Sequence, residues 1–442
     1  MTNVAPQQEL SPSTAALMAR RVATLGPHSP LFYDTPLELV SGRGVWLTDA
    51  AGRTYLDAYN NVPHVGHANE VVADAVNQQM RTLNLHTRYL NHMVVDYAET
   101  LLETFGAHIN RLFLVNSGSE ANELALRIAR QHTGNTGILV SDFSYHGNTT
   151  SLAELTTGLT VREPFGAHVR AIRVPDATGL DEAQAEALCV QALAEVDRAI
   201  DSLQQAGFGI SASLFDLIFS TEGLLKVPAG YVEGLAQRVQ AAGGLFIADE
   251  VQSGFGRLGT HMWGHQLYDI TPDLVTLGKP MGNGHPVGAV VTTEELLDEF
   301  GRHNMYFNTF AGSPVSSAAG LAVLSQMRDR NLMENAVANG QFIADAMREI
   351  AKDCPIIGAV RGQGLFFGYD IVQSDNPSAP NAAATKQLIE LMKAKGVLIS
   401  RIGRHDNVLK MRPPMVIERE QAQLLVETLA EVCRSFHTGE IR

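Results

Sequence analysis

Two residues with the chemistry of a covalent cofactor site follow short apolar runs of the sequence. Lys279 comes directly after the run DLVTLG, and Asp249 closes the run GGLFIAD. A lysine in such a place is usually a solvated loop residue. Pyridoxal phosphate, however, requires a lysine that holds it as a Schiff base and a carboxylate that keeps its ring nitrogen protonated. At adjacent strand ends, Lys279 and Asp249 could meet both requirements.

A cofactor phosphate would also need a cradle, and the segment NSGSEAN offers one. It places Ser117, Gly118 and Ser119 where the predicted strand LFLV turns into the predicted helix ELALRIARQ. Free N–H groups and the helix dipole attract an anion at such a helix start. The simpler interpretation is a helix cap at Ser119, with Asn122 in place of the Glu or Gln of a full capping box. Taken alone, this simpler interpretation is the stronger one.

The motif SYHG supplies an aromatic group to the same region. It brings Tyr145 and His146 to the end of another predicted strand. A flat aromatic side chain there could stack on a cofactor ring. A single aromatic residue in such a position is more often part of the core. This motif therefore indicates a cofactor site only in combination with Lys279 and Asp249.

The segment GFGRLG, residues 254–259, has the spacing of the dinucleotide fingerprint GxGxxG. That fingerprint has its first glycine in the turn directly after a strand, whereas DEVQS separates this one from its strand. We therefore reject a nicotinamide cofactor. The glycines are expected to let a loop pass close to other backbone.

The elements that must position these residues alternate between strands and helices. Six short apolar runs predict strands: RLFLV, GILVS, RAIRV, LFDLIF, LFIA and DLVTL. A helix is predicted after Asp181, where apolar residues recur at i+3 and i+4 until Gly207. This alternation predicts an α/β fold with a largely parallel sheet and helices on both faces. Ligands of such sheets bind beyond the carboxyl ends of the strands.

Changes in the pattern of apolar and polar residues divide the chain into three parts. Residues 1–70 predict an N-terminal arm and part of a smaller domain, and residues 71–315 predict the large domain that binds the cofactor. Residues 316–442 predict a smaller α+β domain. Within it we expect one long helical stretch over residues 316–350, a hairpin at RGQGLFFGYDIV, and a loop at residues 373–381.

The amino-acid composition argues against some classes of function. The 442 residues include 45% hydrophobic and 18% charged residues and carry a net charge of −14, which argues against bulk binding to nucleic acids or anionic membranes. Three widely spaced cysteines show no metal-ligand spacing and fit a reducing compartment. We expect no metal site, no membrane-spanning segment and a cytoplasmic location.

Taken together, five motifs occur in the order typical of one family: SGSEAN, SYHG, IADEVQSGFGRLG, TLGKPMGNGHPVGAV and NTFAGSP. Over residues 44–436 the chain resembles the class-III pyridoxal-phosphate aminotransferases of fold type I. The resemblance implies pyridoxal 5'-phosphate as the cofactor and a large domain with a mostly parallel seven-stranded sheet. It also implies a homodimer with shared active sites, and leaves a tetramer open.

The resemblance assigns a role to each matching residue. Lys279 would form the Schiff base and move the proton, while Asp249 would pair with the ring nitrogen. The other implied cofactor contacts are Gln252 near the ring hydroxyl, Val251 and Tyr145 on the two ring faces, His146 and Glu222 as further contacts, Ser117, Gly118 and Ser119 at the phosphate, and Thr309 at the phosphate from the neighbouring subunit.

Within the family, the chain is most similar to the ethanolamine-phosphate phospho-lyase branch, through LDAYNNVPHVGHAN, NLHTRYL, GKPMGNGHPV and RHDNVLKMRPPM. Two departures from many aminotransferases bear on the substrate. Asp216 stands where those members carry a glutamate, and Lys410 stands where they carry a carboxylate-binding arginine. Arg412 lies immediately before the Pro-Pro pair. A lysine does not replace a bidentate arginine clamp, so both changes favour a substrate without an α-carboxylate.

These features predict a phospho-lyase that eliminates phosphate from O-phosphoethanolamine, or a related phosphorylated amine, to give acetaldehyde, ammonia and phosphate. Lys279 would act as the general base. The candidates for binding the leaving phosphate are Arg88 first, then Lys410 and Arg412, with His64 or His67 as further polar contacts. A structural ion pair at Arg88 and packed core histidines are the competing interpretations.

Two other functions remain open from the sequence. A class-III ω-aminotransferase, moving an amino group from an amine or amino acid to a 2-oxo acid, would keep every cofactor residue and differ only in its substrate contacts. A cofactor-binding or interaction protein with an inactive site is the weaker alternative, because Lys279 is present.

Overall fold

The computed structural model describes residues 10–438, which form three β-sheets and the helices around them. The helices are α1 (Pro12–Leu25), α2 (Glu70–Thr82), α3 (His92–Leu102), α4 (Gly118–Thr133), α5 (Thr150–Ala153), α6 (Glu182–Gln205), α7 (Tyr231–Ala241), α8 (Glu294–His303), α9 (Pro314–Asp329), α10 (Leu332–Lys352), α11 (Ala382–Ala394) and α12 (Arg419–Thr438). The strands are β1 (Leu39–Arg43), β2 (Trp46–Asp49), β3 (Thr54–Asp57), β4 (Arg111–Val115), β5 (Gly137–Ser141), β6 (Val169–Ile172), β7 (Ile210–Asp216), β8 (Leu245–Asp249), β9 (Leu274–Leu277), β10 (Gly288–Thr292), β11 (Ile357–Gln363), β12 (Phe366–Gln373), β13 (Asn376–Pro380), β14 (Val397–Leu398), β15 (Ser400–Ile402) and β16 (Val408–Met411). Across these residues, no helix has the length and apolar character needed to cross a bilayer.

The largest sheet has seven strands in the order β4-β10-β9-β8-β7-β5-β6. Only β10 runs antiparallel to its neighbours, while β6, β5, β7, β8 and β9 pair in parallel. Helix α4 packs against β7, β9 and β10, and helices α6 and α7 pack against β5 to β8. The predicted α/β class and the mostly parallel seven-stranded sheet are confirmed.

The apolar runs of this sheet are continuous because both faces are buried. In β5, Ile138 and Val140 join the core cluster that includes α4, whereas Leu139 joins the cluster that includes α6 and α7. In β8, Ile247 and Phe246 divide between the two clusters in the same way. Successive side chains of a strand point to opposite faces, so a strand covered on both faces needs an unbroken apolar run.

Three local predictions were wrong. The sequence analysis missed β10, a five-residue strand that follows directly on a Gly- and Pro-rich segment. The stretch expected as one helix is α9 and α10, separated where Asn331 adopts a left-handed conformation with φ of 50°. The loop expected at residues 373–381 contains β13, which is held by pairing with the edge of β12 rather than by its own β-propensity.

Two smaller sheets join the ends of the chain. One has the order β11-β12-β16-β15, with β13 on β12, and contains the predicted hairpin. The other has the order β1-β2-β3-β14, in which β3 from the N-terminal part pairs in parallel with β14 from the C-terminal part. The proposed assignment of the N-terminal segment to the smaller domain is compatible with this pairing. The boundaries at residues 70 and 315 remain a prediction.

The GFGRLG loop is tied to both ends of the chain by Arg257, whose side chain is completely buried. Its guanidinium donates to the carbonyl oxygens of Leu365 at 3.1 Å and Pro413 at 2.8 Å. It also lies 3.2 Å from Nδ1 of His64, whose Nε2 lies 2.8 Å from the carbonyl oxygen of Phe255. Burial and the nearby guanidinium lower the pKa of His64 well below its usual value, so its neutral ring accepts at Nδ1 and donates at Nε2. The loop thus holds distant segments of backbone together, as expected for its glycines.

Removing this buried guanidinium should destabilise the protein. Arg257→Met would leave two buried carbonyl oxygens and one imidazole nitrogen without a donor, at a cost of about 2–4 kcal/mol in the free energy of unfolding. The urea midpoint of unfolding measures the change. Arg302→Met is the control, because the Arg302 side chain is 77% exposed and its ion pair with Asp298 spans 3.9 Å, so its loss should cost less than about 0.5 kcal/mol. An equal midpoint shift in both variants would contradict this account of Arg257.

Candidate active site

A cavity of about 350 Å³ opens beyond the carboxyl ends of β7, β8 and β9. Asp216 ends β7, Asp249 ends β8, and Lys279 follows β9 by two residues. The other residues that line it are Val62, Asn116, Ser117, Gly118, Ser119, Asn122, Tyr145, His146, Gly147, Val251, Gln252, Gly284, His285, Pro286 and Val287. The edge of the parallel sheet therefore brings most of the predicted cofactor contacts to one cavity.

The carboxylate of Asp249 is held in place by hydrogen bonds from neighbouring protein groups. Its Oδ2 lies 2.7 Å from Nδ1 of His146 and accepts from Nδ2 of Asn122 at 3.0 Å. Its Oδ1 accepts from the backbone N–H of Val251 at 3.1 Å. Asn122 is oriented in turn by the hydroxyl of Thr276, which donates to its carbonyl oxygen at 2.6 Å. Asp249 thus presents a hydrogen-bonded carboxylate at a defined place in the cavity wall.

The side chain of Lys279 projects into the open cavity, where solvent reaches it although protein surrounds it on most sides. Burial and the positive charge of Arg412 lower the pKa of Lys279 to about 8, while the charges of Asp249 and Asp216 act in the opposite direction. A lysine amine with this pKa has a much larger neutral fraction near physiological pH than an ordinary lysine, and it is mostly neutral above about pH 8. It can therefore act as a nucleophile or a base.

The start of α4 forms one wall of the cavity. The helix cap is Ser117, whose hydroxyl accepts from the N–H of Glu120 at 3.2 Å, so the cap expected at Ser119 was misplaced by two residues. The N–H groups of Gly118 and Ser119 lie in the first turn, where a helix provides no acceptor. A Cβ added at Gly118 would come within 2.9 Å of Val251. The close packing of these two residues brings the helix start to the cavity.

These features fit pyridoxal phosphate. The free N–H groups at the start of α4 suit its phosphate, and Asp249 suits its ring nitrogen. Tyr145 is 38% exposed and lines the cavity together with Val251, so both side chains can contact a planar ring. The amine of Lys279 is present to bind the aldehyde. The fit rests on the donor and acceptor groups of the chain itself.

A second group of charges lies beside Gln252. Lys410 at the end of β16 and Arg412 just beyond it are only 5% and 6% exposed. Nζ of Lys410 lies 3.4 Å from Oε1 of Gln252, and the guanidinium of Arg412 donates to the same oxygen. Arg412 also donates through Nε to the carbonyl oxygen of Tyr59 at 2.9 Å. Neither cation forms an ion pair with a carboxylate of the described chain.

The pKa values of this group reflect its burial. Burial lowers the pKa of Lys410 well below its usual value, and the positive charges of Arg412 and Lys279 lower it further, while the charges of Asp216 and Glu222 act in the opposite direction. The pKa of Arg412 is also lowered by burial, against the opposing effect of Asp57. Positive charge is therefore held here at a cost in free energy, which a bound anion would offset.

Two predicted site residues lie on exposed segments away from this cavity. Arg88 is exposed, and its guanidinium stacks 3.7 Å from the ring centre of Phe307. Thr309 is also exposed, on the neighbouring segment of the chain. Neither residue lines the cavity of its own subunit, so the roles of Arg88 at the substrate phosphate and of Thr309 at the cofactor phosphate stay predictions.

Three other predicted contacts lie inside the protein. His64 is buried against Arg257, as described above, and His67 places Nε2 at 2.7 Å from Oδ2 of Asp57. Glu222 contacts the hydroxyl of Ser141, and burial raises the pKa of Glu222 to about 8. The structure does not bring these three side chains to the cavity wall.

Sequence reasoning missed two residues that organise the site. Asn122 was visible as the last residue of NSGSEAN, one turn along the helix from Gly118, but was considered only as a departure from a capping box. Ser220 donates to Asp216 and accepts from Gln252, yet it lies in an irregular loop after β7 that no periodic pattern marks. Only the folded loop reveals its contacts.

Known proteins are similar to this chain over most of its length. The model of the family "Aminotransferase class-III" matches residues 32–433. The chain is 35% identical over 437 residues to "Ethanolamine-phosphate phospho-lyase homolog 1" of Caenorhabditis elegans, covering 95% of this chain and 93% of that protein. It is 37% identical over 412 residues to "Alanine--glyoxylate aminotransferase 2-like" of Drosophila melanogaster, covering 90% and 83%.

Among solved structures, a phospholyase from Arthrobacter in complex with phosphoethanolamine is 67% identical, with a TM-score of 0.94 over 95% of this chain and 99% of that chain. An aminotransferase from Bacillus anthracis is 27% identical, with a TM-score of 0.87 over 97% and 100%. The chain therefore belongs to the class-III aminotransferase family. Enzymes of this family use pyridoxal 5'-phosphate, so the predicted family and cofactor are both confirmed.

The close packing at the start of α4 gives a test of the phosphate cradle. Gly118→Ala should weaken the binding of pyridoxal phosphate to the apoprotein by about tenfold, because the new methyl group would push Val251 or the helix start out of place. Fluorescence titration of the apoprotein measures the affinity. Gly106→Ala is the matched control, since its added Cβ would meet no atom within 4 Å, and it should leave the affinity unchanged. Unchanged affinity in Gly118→Ala would contradict the assignment of the cradle.

The lowered pKa of Lys279 gives a pH dependence. A lowered pKa means that the amine loses its proton at lower pH, so the rate of Schiff-base formation between apoprotein and pyridoxal phosphate should rise with pH and reach half of its maximum near pH 8. Arg412→Leu removes a positive charge that disfavours the ammonium form, so it should shift this midpoint to higher pH. Stopped-flow absorbance measures both profiles. A midpoint above pH 10 in the unmodified protein would show that the site does not lower this pKa.

Proposed function

We propose that this protein is a pyridoxal-phosphate-dependent phospho-lyase that removes phosphate from phosphoethanolamine or a closely related phosphorylated amine. The observation that carries the proposal is the pair of buried cations, Lys410 and Arg412, that meet on a neutral amide without a carboxylate partner. Two relatives support it: the solved phospholyase contains phosphoethanolamine, and the Caenorhabditis elegans protein carries the name of the same reaction.

The cofactor residues divide the chemical work. When bound, pyridoxal phosphate withdraws electrons from the carbon that carries the substrate nitrogen. The carboxylate of Asp249, fixed by Asn122 and His146, stabilises a protonated ring nitrogen. The amine of Lys279 takes the proton from the carbon next to the nitrogen, because its lowered pKa leaves it neutral at a moderately alkaline pH.

The phosphate end of the substrate determines the outcome. Lys410 and Arg412 hold the phosphate, and the C–O bond to the neighbouring carbon breaks as the carbon loses its proton. The electron pair leaves with the phosphate, and water hydrolyses the released enamine. For phosphoethanolamine the balance is one substrate and one water giving acetaldehyde, ammonia and phosphate. Charge-assisted hydrogen bonds to the departing oxygen atoms favour this elimination over transfer of the amino group.

A homodimer is also part of the proposal. Tyr89 and Leu90 on one segment, and Met305 and Phe310 on the other, expose between 66% and 102% of their surface. The two segments contact each other through Arg88 and Phe307 and form one apolar patch, which we call the 84–91/305–310 patch. A second copy of the chain would cover it and would bring Thr309 towards the partner's cofactor phosphate.

The three buried free cysteines are compatible with a cytoplasmic location.

The function is tested with the cofactor-loaded protein and phosphoethanolamine in the absence of any 2-oxo acid. We expect equal amounts of inorganic phosphate and acetaldehyde over many turnovers. If instead neither product forms until pyruvate or 2-oxoglutarate is added, and an amino group is then transferred, the protein is an aminotransferase. Phosphate is measured colorimetrically and acetaldehyde by reduction with a coupled dehydrogenase.

Variants in the same assay test the phosphate contact. Lys410→Met removes the charge of a buried side chain while keeping its approximate length, and should raise KM for phosphoethanolamine about 10–100-fold, the range expected for a lost hydrogen bond to a charged group. Lys352→Met is the control, because Lys352 is exposed on α10 and should leave KM unchanged. Equal KM values in the two variants would exclude Lys410 from phosphate binding.

The patch predicts the oligomeric state. Leu90→Asp should shift the protein from dimer to monomer in sedimentation velocity and weaken its binding of pyridoxal phosphate, because the buried charge would lack a partner at the interface. Val190→Asp is the matched control, since Val190 is 66% exposed on α6, and it should remain a dimer. Sedimentation of the unmodified protein as a monomer would contradict the proposed interface.

A further inference from the structure

The side-chain amide of Gln252 connects the cation pair to Ser220 in the loop after β7, and through Ser220 to Asp216 at the end of that strand. Its carbonyl oxygen accepts from Arg412 and lies 3.4 Å from Nζ of Lys410. Its NH₂ group donates to the hydroxyl oxygen of Ser220 at 2.6 Å. A reversed amide would direct two N–H bonds at two cations. The orientation of this one amide therefore determines what the cations meet.

The hydroxyl of Ser220 allows only one of these orientations. Ser220 is completely buried, and its O–H donates to the carboxylate of Asp216, which also accepts from the backbone N–H of Ser220 at 3.1 Å. A hydroxyl has a single hydrogen to donate. Because that hydrogen is engaged by Asp216, the oxygen can only accept from Gln252. The amide nitrogen must then face Ser220, and the amide oxygen must face the cations.

The consequence is a net positive site at a defined place. Gln252 gives Lys410 and Arg412 a shared neutral acceptor, which holds the two side chains together without neutralising either charge. Asp216 accepts from Ser220 and from the N–H of Ile218 and forms no ion pair with Lys410 in the described chain, although its charge and that of Glu222 raise the pKa of Lys410. Two adjacent cations with no carboxylate at ion-pair distance match the double negative charge of a phosphate monoester better than a single carboxylate.

We propose that Ser220 is a positioning residue, which fixes the Gln252 amide so that Lys410 and Arg412 together face a doubly charged phosphate group. The inference rests on the proposed function for the identity of the substrate, and adds a residue that acts on phosphate affinity through another side chain. Ser220 does not touch the reacting atoms.

The test uses the protein loaded with pyridoxal phosphate, so that the cofactor's own phosphate cradle is filled. Calorimetry with inorganic phosphate gives a dissociation constant without catalysis, and steady-state assays with phosphoethanolamine give KM and kcat. In Ser220→Ala we expect both the phosphate dissociation constant and KM to rise about tenfold, the effect of one lost hydrogen bond in a charged network. We expect kcat to stay within about twofold.

Two further variants serve as controls for this result. Ser220→Thr keeps the hydroxyl and should return both constants towards those of the unmodified protein. Ser213→Ala removes another completely buried hydroxyl from β7, which has no hydrogen-bond partner in the described chain, and should change neither constant. If Ser220→Ala does not fold, Ser220→Cys provides the second deletion, because a thiol keeps the approximate volume but is a weak acceptor.

The positioning role would be overturned if phosphate affinity were the same with and without the Ser220 hydroxyl, or if Ser220→Thr behaved as Ser220→Ala does. Failure of the proposed function looks different. If the unmodified protein releases no phosphate from phosphoethanolamine, yet Ser220→Ala still binds inorganic phosphate about tenfold more weakly, the positioning role stands and the lyase function falls. If the lyase reaction proceeds but the phosphate affinity of Ser220→Ala is unchanged, only the positioning role falls.

Discussion

The site depends on two buried cations that share one neutral acceptor. Lys410 and Arg412 are almost completely shielded from water, and Gln252 gives them a carbonyl oxygen but no negative charge. Burying a charge without a counter-ion is costly, and the lowered pKa values of both side chains express that cost. An anion bound between Lys410 and Arg412 would offset part of this cost, and an anion with more negative charge would offset more of it.

The charge of Arg412 also acts on Lys279. It lowers the pKa of Lys279 and so helps to keep that amine neutral. A phosphate bound at Lys410 and Arg412 would weaken that effect and make Lys279 a stronger base as the substrate binds. The geometry requires two sheets together, because Asp249 ends β8 whereas Lys410 lies in β16. Arg257 stabilises the junction between these two parts, because its guanidinium donates a hydrogen bond to the carbonyl oxygen of Pro413, next to Arg412.

The sequence predicted that most of the proposed cofactor contacts meet at one place, and the structure brings them to one cavity, whereas the roles of these residues and of the substrate contacts remain predictions. Asp249 and Lys279 were found because apolar strands end in a sharp polar boundary, and parallel pairing then brings those ends together whatever the details of the loops. Strand β10 was missed because a five-residue run beside a Gly- and Pro-rich segment gives little periodic signal. Ser220 was missed because its loop has no repeating pattern, and its partners are 4 and 32 residues away. The sequence offers Arg88, Lys410 and Arg412 as cations for the phosphate, but it does not show that Arg88 stacks on Phe307 at the surface while Lys410 and Arg412 are buried beside Gln252. The number of charged residues can be counted from a sequence, but the burial and the orientation of each charged side chain depend on contacts between distant segments.

The most direct test of this account is a crystal structure of Lys279→Ala with pyridoxal phosphate and phosphoethanolamine bound, since removal of the general base should prevent turnover. The account predicts that the substrate phosphate lies within hydrogen-bond distance of Nζ of Lys410 and of the guanidinium of Arg412. It would be contradicted if the phosphate were bound by Arg88 of either subunit, with Lys410 and Arg412 still bonded only to Gln252 and Tyr59.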